Sequence, residues 1–315
     1  MAEPTGLRGP LAAFDRVLGR VWLDPEDPTA LGLVRIVVAA VLGASLLTHA
    51  GAVDSYFSSA STLQGEWARQ AFPSRFSLLF WFDAPWLVRL CFALGVGAHV
   101  LWMLGRFTTL ASIVAWLAWV SFTGRHPLLY SLPDQLQLAM CTLLMLMPSG
   151  RGLSLDARRR GPRPVPVWCR RVLQVQLATL YTATGLLKHG KTWHADGTAL
   201  YYAMANPYNR HFEVPELLAA LQPWLLRPMT HVVLWWELLF AAFVAWQALR
   251  GLAGRPRWLP DLRLPWLGFG VAMHLGIQAM MYVAWFSPMV LAGYLAFLRP
   301  DEARRLLAHT TGRKA

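Results

Sequence analysis

Long apolar runs, separated by polar or basic connectors, dominate the chain from residue 30 onwards. A helix needs roughly 20 mostly apolar residues to cross a bilayer, and about 17 at the shortest. On that criterion the pattern predicts about eight transmembrane helices, over residues 30–50, 86–104, 107–122, 131–148, 169–188, 229–249, 264–284 and 286–299. The third, fourth and last of these runs are short. The sequence therefore predicts an all-α, polytopic integral membrane protein whose helices form one bundle.

The segments outside these runs predict a simple organisation. Residues 1–29 are polar and lack the pattern of a signal peptide, and residues 300–315 form a short tail. We expect both to be cytoplasmic and residues 30–299 to form one membrane domain. The outer connectors 51–85 and 189–228 are long. We expect them either to carry function or to fold as re-entrant or interfacial helices.

Composition supports a membrane partner. Hydrophobic residues make up 56% of the chain and charged residues 15%, whereas soluble domains average about 45–50% and about 25%. The formal net charge is +12, but the basic residues flank the apolar runs. We therefore predict that the chain contacts the lipid bilayer and not nucleic acid.

The distribution of basic residues predicts the orientation. With eight spans and both termini inside, the inner segments hold 20 of the 29 Lys and Arg residues, and the outer segments hold 6. Such a bias is typical of cytoplasmic connectors. We therefore predict a multi-pass protein of the cell membrane with both termini in the cytoplasm. The three cysteines, Cys91, Cys141 and Cys169, show no metal-ligand spacing, so we predict no metal site.

Several ionisable residues fall in or beside apolar runs, where a charge at the bilayer centre costs at least ~2.5 kcal/mol. Arg35 either snorkels to the inner headgroups, which we favour, or pairs with a buried acid. Glu237, in the middle of a run, is expected to be paired or protonated. His274 within a span and His126 in an outer connector are each either ordinary packing residues or functional ones.

Lys188 ends the fifth predicted span on the outer side, where lysine is disfavoured. It is either a snorkelling residue at a helix end or a desolvated lysine that acts as a base near neutral pH. Gly185, one turn earlier, allows close approach of a neighbouring helix or ligand. Trp193, five residues later, is placed to shield the lysine from water.

Motifs along nearly the whole chain resemble the transmembrane region of the vitamin K-dependent γ-glutamyl carboxylases and of bacterial relatives with the same HTTM membrane domain. Their order and spacing follow that family. In chain order they are D-P-x-x-L-G-x-x-R at 27–35, R-H-x-x-L-Y at 125–130 (the family has N-H), S-x-D at 154–156, V-P-x-W at 165–168, V-L-x-x-Q at 172–176, Tyr181, G-x-x-K-x-x-x-x-W at 185–193, Gly197, and His274 followed by Phe-Ser at 286–287.

The resemblance implies an activity. In the carboxylases the lysine of G-x-x-K deprotonates vitamin K hydroquinone, whose anion reacts with oxygen to form a strong alkoxide base. That base removes a γ-proton from glutamate, and the carbanion attacks carbon dioxide. By resemblance, Lys188 is the base and His126 its catalytic partner, both at the outer face. The resemblance further implies binding of a vitamin K or menaquinone hydroquinone, with O2 and CO2 as co-substrates. The expected quinone-binding residues are Arg125, Tyr181, Gly185, Trp193 and His274.

Two departures from the family pattern favour the quinol half-reaction over carboxylation of a protein. Arg125 replaces the family's Asn, and the chain ends at Ala315, so we expect no large lumenal domain that binds substrate. We therefore predict a carboxylase-like lyase that epoxidises a lipid hydroquinone and, given an exported peptide with glutamates, could carboxylate it. The alternative is a non-catalytic membrane protein for maturation of, or immunity to, an exported peptide. A transporter is disfavoured because no inverted repeat is visible.

Overall fold

The computed structural model describes residues 14–15, 17–256 and 258–311. It is 74% helical with 2% strand, which confirms the all-α class. Five basic residues that entered the charge distribution lie outside the described residues: Arg8, Arg16, Arg257, Arg313 and Lys314. The predicted terminal segments, 1–29 and 300–315, are therefore described only in part.

The helices follow the apolar runs, because a backbone in lipid must satisfy its hydrogen bonds within the helix. In chain order they are α1 (Thr29–Leu47), α2 (Val53–Phe57), α3 (Gly65–Ala71), α4 (Pro85–Leu104), α5 (Thr108–Arg125), α6 (Leu132–Leu146), α7 (Leu155–Arg160), α8 (Trp168–Leu187), α9 (Lys191–His194), α10 (Ala199–Ala205), α11 (Pro215–Leu221), α12 (Arg227–Leu238), α13 (Phe240–Leu252), α14 (Arg263–Met280), α15 (Phe286–Tyr294) and α16 (Pro300–Thr311).

Short elements complete the described part of the chain. The 3₁₀ turns are Ala50–Ala52, Leu78–Phe80, Pro127–Leu129, Ser149–Arg151 and Leu295–Phe297, and the π-helical turns are Gly19–Leu23 and Gln222–Leu226. Strands β1 (Pro25–Glu26) and β2 (Val165–Pro166) pair antiparallel, with Pro25 opposite Pro166 and Glu26 opposite Val165. The long connectors 51–85 and 189–228 are thus folded into short helices and turns.

The number of membrane crossings is supported only in part. Among the described residues, two helical segments, Thr29–Phe57 and Pro85–Leu104, are long and apolar enough to cross a membrane. The pair Pro215–Leu238 and Phe240–Leu252, bent by 49°, makes a third if it is one span. The predicted number of eight is not confirmed. One reason is length, since α6 has 15 residues and so extends about 22 Å, against a hydrocarbon core of about 30 Å.

Large apolar side chains are exposed on the longer helices. Leu94 on α4 is 58% exposed, and Leu264 on α14 is 84% exposed. In water, extended apolar surfaces of this kind promote aggregation, whereas lipid tails solvate them as well as a protein interior does. The exposed apolar faces therefore support membrane association.

The described residues fall into two compact units. Unit 1 comprises its described residues within 1–24 together with 171–287, and unit 2 comprises 25–170 together with 288–311. In unit 2, α4 contacts both α1 and α5, α5 contacts α6, and α16 packs on α1. In unit 1, α12 contacts α9, α10 and α13.

Arg35 departs from expectation. It is fully buried on α1 and does not snorkel to the headgroups. Its Nη1 donates to the carbonyl oxygens of Ser149, at 2.8 Å, and Gly152, at 3.2 Å, and its Nη2 donates to that of Leu153 at 2.6 Å. A planar guanidinium suits this role because it carries several donors in a fixed fork. The arginine of the D-P-x-x-L-G-x-x-R motif thus holds a turn far away in the sequence.

Gly105 ends α4 beside the same turn, with φ of +67°. A Cβ at this position would lie 2.2 Å from the Cβ of Ser154, so only glycine fits both the backbone angle and the space. Two residues on from that serine, Asp156 accepts hydrogen bonds from the backbone nitrogens of Phe107, at 3.2 Å, and Thr108, at 2.8 Å. The S-x-D motif therefore caps the start of α5.

Asp156 is ionised by this arrangement. Burial acts to raise the pKa of its carboxyl, but the hydrogen bonds from Thr108 and Phe107 outweigh burial and lower the pKa overall.

A second carboxylate, Glu26 of β1, forms a bidentate ion pair with Arg170 near the start of α8. Arg170 Nε lies 2.6 Å from Oε1, and Nη2 lies 2.5 Å from Oε2. The contacts of Asp156 and Glu26 thus stabilise unit 2 around the start of α5 and the start of α8.

Candidate functional site: a lysine–carboxylate pair in unit 1

One face of α8 presents Tyr181, Gly185 and Lys188. Their spacing of four and three residues places them above one another on a helix. A Cβ added to Gly185 would lie 3.1 Å from the backbone nitrogen of Leu238, so the glycine allows α8 and α12 to approach closely. Lys188 follows the last residue of α8 directly.

The ammonium group of Lys188 forms an ion pair with the carboxylate of Glu237, through Nζ and Oε2. The side chains are only 20% and 9% exposed, respectively. Thr184 Oγ1 donates to the same carboxylate oxygen at 3.5 Å. Two opposite charges that lie in separate apolar runs of the sequence therefore meet in a partly dehydrated place, where their mutual attraction is stronger than in water.

The segment after α8 folds back over this pair. The indole ring of Trp193 lies under the ammonium of Lys188, with Nζ 5.0 Å from the ring centroid, a cation–π distance. His194 Nε2 lies 2.8 Å from the carbonyl oxygen of Lys188. The predicted shielding of the lysine by Trp193 is consistent with this contact.

A second polar group, formed by Tyr181, His274 and Ser287, includes a residue of α8 about two turns before Lys188. The hydroxyl of Tyr181 lies 2.6 Å from His274 Nε2, and His274 Nδ1 lies 3.3 Å from Ser287 Oγ. With its proton on Nδ1, the imidazole accepts from Tyr181 and donates to Ser287. The Tyr181 ring stacks on Phe240 at 4.5 Å and meets the edge of Trp236 at 4.7 Å. Tyr181, His274 and Ser287 are thus linked within aromatic surroundings.

Glu237 is positioned by a break between two helices. Helix α12 ends at Leu238, and α13 begins at Phe240. The hydroxyl of Thr182 donates to the carbonyl oxygen of Glu237 at 3.5 Å and accepts from the backbone nitrogen of Ala241 at 3.2 Å. Side-chain hydroxyls commonly satisfy backbone groups that a kink releases. The break therefore turns the Glu237 carboxylate towards α8.

An apolar groove of about 560 Å³ runs along α8 and α13. On α8 it extends from Arg171 to Leu186, about 22 Å at a helical rise of 1.5 Å per residue. The remaining lining residues come from the 21–22 segment, α8 and α13: Val21, Trp22, Gln174, Val175, Ala178, Thr179, Thr182, Ala183, Ala241, Val244, Ala245 and Ala248. Thr182 lines the groove and also contacts the backbone carbonyl of Glu237, whereas Lys188 and the Glu237 carboxylate do not belong to the groove lining.

His126 belongs to unit 2, in the connector between α5 and α6. It is 7% exposed and lines a cavity of about 450 Å³ together with Gln64 and Trp67. Its Nδ1 is buried and has no hydrogen-bond partner among the described residues. Burial lowers the pKa of His126, and the neighbouring Arg125 acts in the same direction. The ring is therefore held in its neutral form.

This lowered pKa predicts a loss of stability in acid. The unfolded chain binds a proton at His126 once the pH falls below about 6.5, while the folded state resists it, so stability falls with pH from 6.5 through the folded pKa. We expect His126→Gln to remove part of the drop in thermal unfolding midpoint between pH 8 and pH 5 in detergent. The exposed His211→Gln is the control. Identical pH dependence in wild type and His126→Gln would contradict this account.

Arg125 is held inside unit 2 by backbone contacts. It is fully buried, with Nη1 donating to the carbonyl oxygen of Leu63 at 2.6 Å and Nη2 donating to that of Ser58 at 3.0 Å. Both Nη atoms are thus engaged by the backbone of the 51–85 connector, while Nε has no hydrogen-bond partner among the described residues. The arginine holds this connector in place, and its contact with a quinone stays a prediction.

The structure groups the predicted site residues unequally. Unit 1 holds the lysine, its carboxylate partner and four of the expected quinone-binding residues: Lys188, Glu237, Tyr181, Gly185, Trp193 and His274. Unit 2 holds Arg35, Arg125 and His126. The joint action of Lys188 and His126 stays a prediction. No group of three metal-ligating side chains occurs among the residues that the structure describes.

Three contributors to the site were not predicted from the sequence: Thr182, Trp236 and the link between Lys188 and Glu237. A signal for the link was present, because two opposite charges in apolar runs are most cheaply accommodated as a pair. Thr182 gave no signal of its own, since threonine is ordinary within a membrane helix.

The fold and site define a membrane-associated helical protein with a buried lysine–carboxylate pair. Residues 23–301 match the family of the HTTM domain, which is most of the chain, and the protein belongs to this family. The HTTM domain is related to the vitamin K-dependent carboxylases. No curated protein and no solved structure is detectably similar to the chain.

Proposed function

We propose that this protein is a membrane enzyme that binds a lipid hydroquinone and deprotonates it with Lys188, in the manner of the vitamin K-dependent carboxylases. The observation that carries the proposal is the partly dehydrated pair of Lys188 and Glu237. A lysine that only snorkelled at a helix end would need no buried carboxylate and no indole ring against it. The ligand would be a vitamin K or menaquinone hydroquinone.

The residues present fit such a ligand. Its isoprenoid tail matches the groove along α8 and α13, whose 560 Å³ falls in the range of small-molecule sites, about 300–1,000 Å³. Its ring and hydroxyl groups would match Lys188, Trp193 and Tyr181, which lie at or beyond the C-terminal part of α8 and outside the groove lining. When bound, the hydroquinone supplies an acidic hydroxyl whose anion can react with oxygen.

Lys188 donates a hydrogen bond from its ammonium group to the Glu237 carboxylate. In the proposed mechanism that proton passes to Glu237, which leaves Lys188 as the amine and Glu237 as the carboxylic acid. In the amine form, Lys188 Nζ can accept a proton from a bound hydroxyl while Glu237 holds the displaced one. Trp193 limits the access of water to Nζ.

Tyr181, His274 and Ser287 supply a second polar contact within unit 1. The Tyr181 hydroxyl can donate to a ligand oxygen only by turning away from His274 Nε2, so the imidazole sets its orientation. We assign these residues to ligand orientation. His126, by the family resemblance, acts with Lys188 after deprotonation. A glutamate-bearing exported peptide, O2 and CO2 are the further reactants that the resemblance implies, at the outer face of the membrane.

The test is oxygen-dependent formation of a naphthoquinone epoxide by purified protein in lipid nanodiscs. The substrates are naphthohydroquinones with tails of different length. We expect Ala245→Trp, which fills the groove, to raise KM for the long-tailed substrate on the order of tenfold, since exclusion of two CH2 groups already costs about 1.6 kcal/mol. The short-tailed substrate should be little affected.

Ala242→Trp is the matched control, because this exposed alanine of α13 does not belong to the groove lining. The proposal fails if wild-type protein forms no epoxide with any tail length. The assignment of the tail to this groove fails if both tryptophan variants behave alike.

The alternative function, a non-catalytic role with an exported peptide, is favoured by one observation. In the outer connector of unit 1, Tyr208 is 91% exposed and Trp224 is 84% exposed, and exposed aromatic residues are common at protein interfaces. That function would survive Lys188→Ala.

A further inference from the structure

We infer that the connector between α6 and α8 binds the headgroup of an acidic phospholipid. The site is a cavity of about 290 Å³ in unit 2, beside the first turn of α5. Its lining includes Arg151, Arg160 and Arg163, together with Thr108 and Thr109. A phosphodiester suits this set, because guanidinium groups and hydroxyls donate to phosphate oxygens and arginine can do so with two parallel bonds.

The positive charge of the arginines that line the cavity is only partly neutralised by the carboxylate of Asp156. Asp156 is the carboxylate among the described lining residues, and it is already used by the backbone nitrogen and the hydroxyl of Thr108, at 2.8 Å and 2.7 Å. Three arginines and one carboxylate leave an excess of two positive charges around the cavity. A singly or doubly charged phosphate lipid matches this excess, whereas a zwitterionic lipid offers no net charge to it.

Two hydrogen bonds hold the arginines together. Arg151 Nη1 donates to the carbonyl oxygen of Pro164 at 2.9 Å, and the backbone nitrogen of Arg163 donates to the carbonyl oxygen of Arg151 at 3.2 Å. These bonds join the two ends of the 151–164 segment, so Arg151 and Arg163 lie close together. Such preorganisation lowers the entropy cost of binding a ligand.

The neighbouring surface indicates a lipid and not a soluble phosphate. Phe107 and Leu110 flank the two threonines on α5, and they are 59% and 64% exposed. They provide an apolar surface for acyl chains next to the basic cavity. The predicted orientation places this end of α5 in the cytoplasmic leaflet, where basic pockets beside membrane helices bind acidic headgroups.

The experiment measures lipid binding to the full chain in detergent by native mass spectrometry. Phosphatidylglycerol and phosphatidylcholine with identical acyl chains are titrated into wild type, into the double variant R160Q/R163Q and into R158Q/R159Q. The last is a matched control, because it removes the same charge from the same connector but from residues outside the lining. All four arginines are exposed, so folding should be preserved, and thermal unfolding without added lipid checks this.

We expect wild type to prefer phosphatidylglycerol and R160Q/R163Q to lose about 25-fold in affinity, from about fivefold for each arginine. R158Q/R159Q should change affinity by less than about threefold. Equal losses in both double variants would overturn the site, since they would show only diffuse attraction. Equal binding of the two lipids would overturn the acidic headgroup. Displacement of the lipid by glycerol phosphate at equal concentration would overturn the role of the acyl chains.

Discussion

Replacement of Lys188 by alanine is expected to lower hydroquinone turnover on the order of 10²–10⁴-fold, the usual contribution of a general base. The physical reason is that Nζ is partly shielded from water and has Glu237 as its proton partner. The measurement is the rate of oxygen-dependent epoxide formation at saturating substrate. Binding of the hydroquinone, measured separately, should change far less than the rate.

Loss of folding has to be distinguished from loss of the base. Lys188→Ala leaves the Glu237 carboxylate buried without its ammonium, and a broken buried pair costs about 3–5 kcal/mol of stability. The double variant Lys188→Met/Glu237→Leu removes both charges and should recover stability while staying inactive. Glu237→Gln keeps the base but removes its proton partner, so its rate should fall with a changed pH profile. Wild-type turnover in Lys188→Ala would exclude Lys188 as the base.

Replacement of Arg35 by methionine is expected to give the largest loss of stability in unit 2, about 3 kcal/mol or more. Its guanidinium donates to three carbonyl oxygens of the 149–153 turn, and hydrogen bonds to a charged group contribute about 1.5–3 kcal/mol each. Methionine replaces the aliphatic part of the side chain but leaves these acceptors unpaired. Unfolding in a denaturant titration of detergent-solubilised protein measures the effect.

Two further variants make this result specific. Arg35→Lys keeps the charge but lacks the fork of donors, so it should recover only part of the stability. Arg304→Met removes an exposed arginine of unit 2, with its side chain 61% exposed, and should change stability by less than about 1 kcal/mol. If Arg35→Met and Arg304→Met unfolded at the same denaturant concentration, the buried arginine would not stabilise the turn.

The helices could be predicted because an apolar segment in lipid must satisfy its backbone hydrogen bonds internally, which a helix does within one segment. The predicted run 169–188 coincides with Trp168–Leu187, and 86–104 coincides with Pro85–Leu104. The break at Leu239 was missed, since no glycine or proline marks it and the hydroxyl that satisfies it comes from another helix. The number of membrane crossings could not be established from the apolar runs. Buried polar residues lower the mean hydropathy of a helix, and several helices are too short to span a bilayer by themselves.

The site could be predicted by residue type but not by pairing. Lys188 and Glu237 were each recognisable as charges in apolar runs, and their opposite signs favoured a pair. The sequence does not show that these two residues, 49 positions apart, are the ones that meet. The contacts of Arg35 and Arg125 could not be predicted for a common reason. Their partners are backbone carbonyls, which every residue carries and which therefore leave no pattern in the sequence. Only the fold reveals where such acceptors converge.

The division of unit 2 into two stretches of chain sets an order of events during synthesis. The face of α1 that receives α16 and the Leu295–Phe297 turn is made early, but its partners are made last. Residues 171–287 come in between, which takes about 6–23 s at about 5–20 residues per second. During that interval the face of α1 that later packs against α16 lacks this partner. A ribosome that stalls in this stretch leaves a membrane-inserted chain with an uncovered first helix, which the cell's quality-control proteases can recognise.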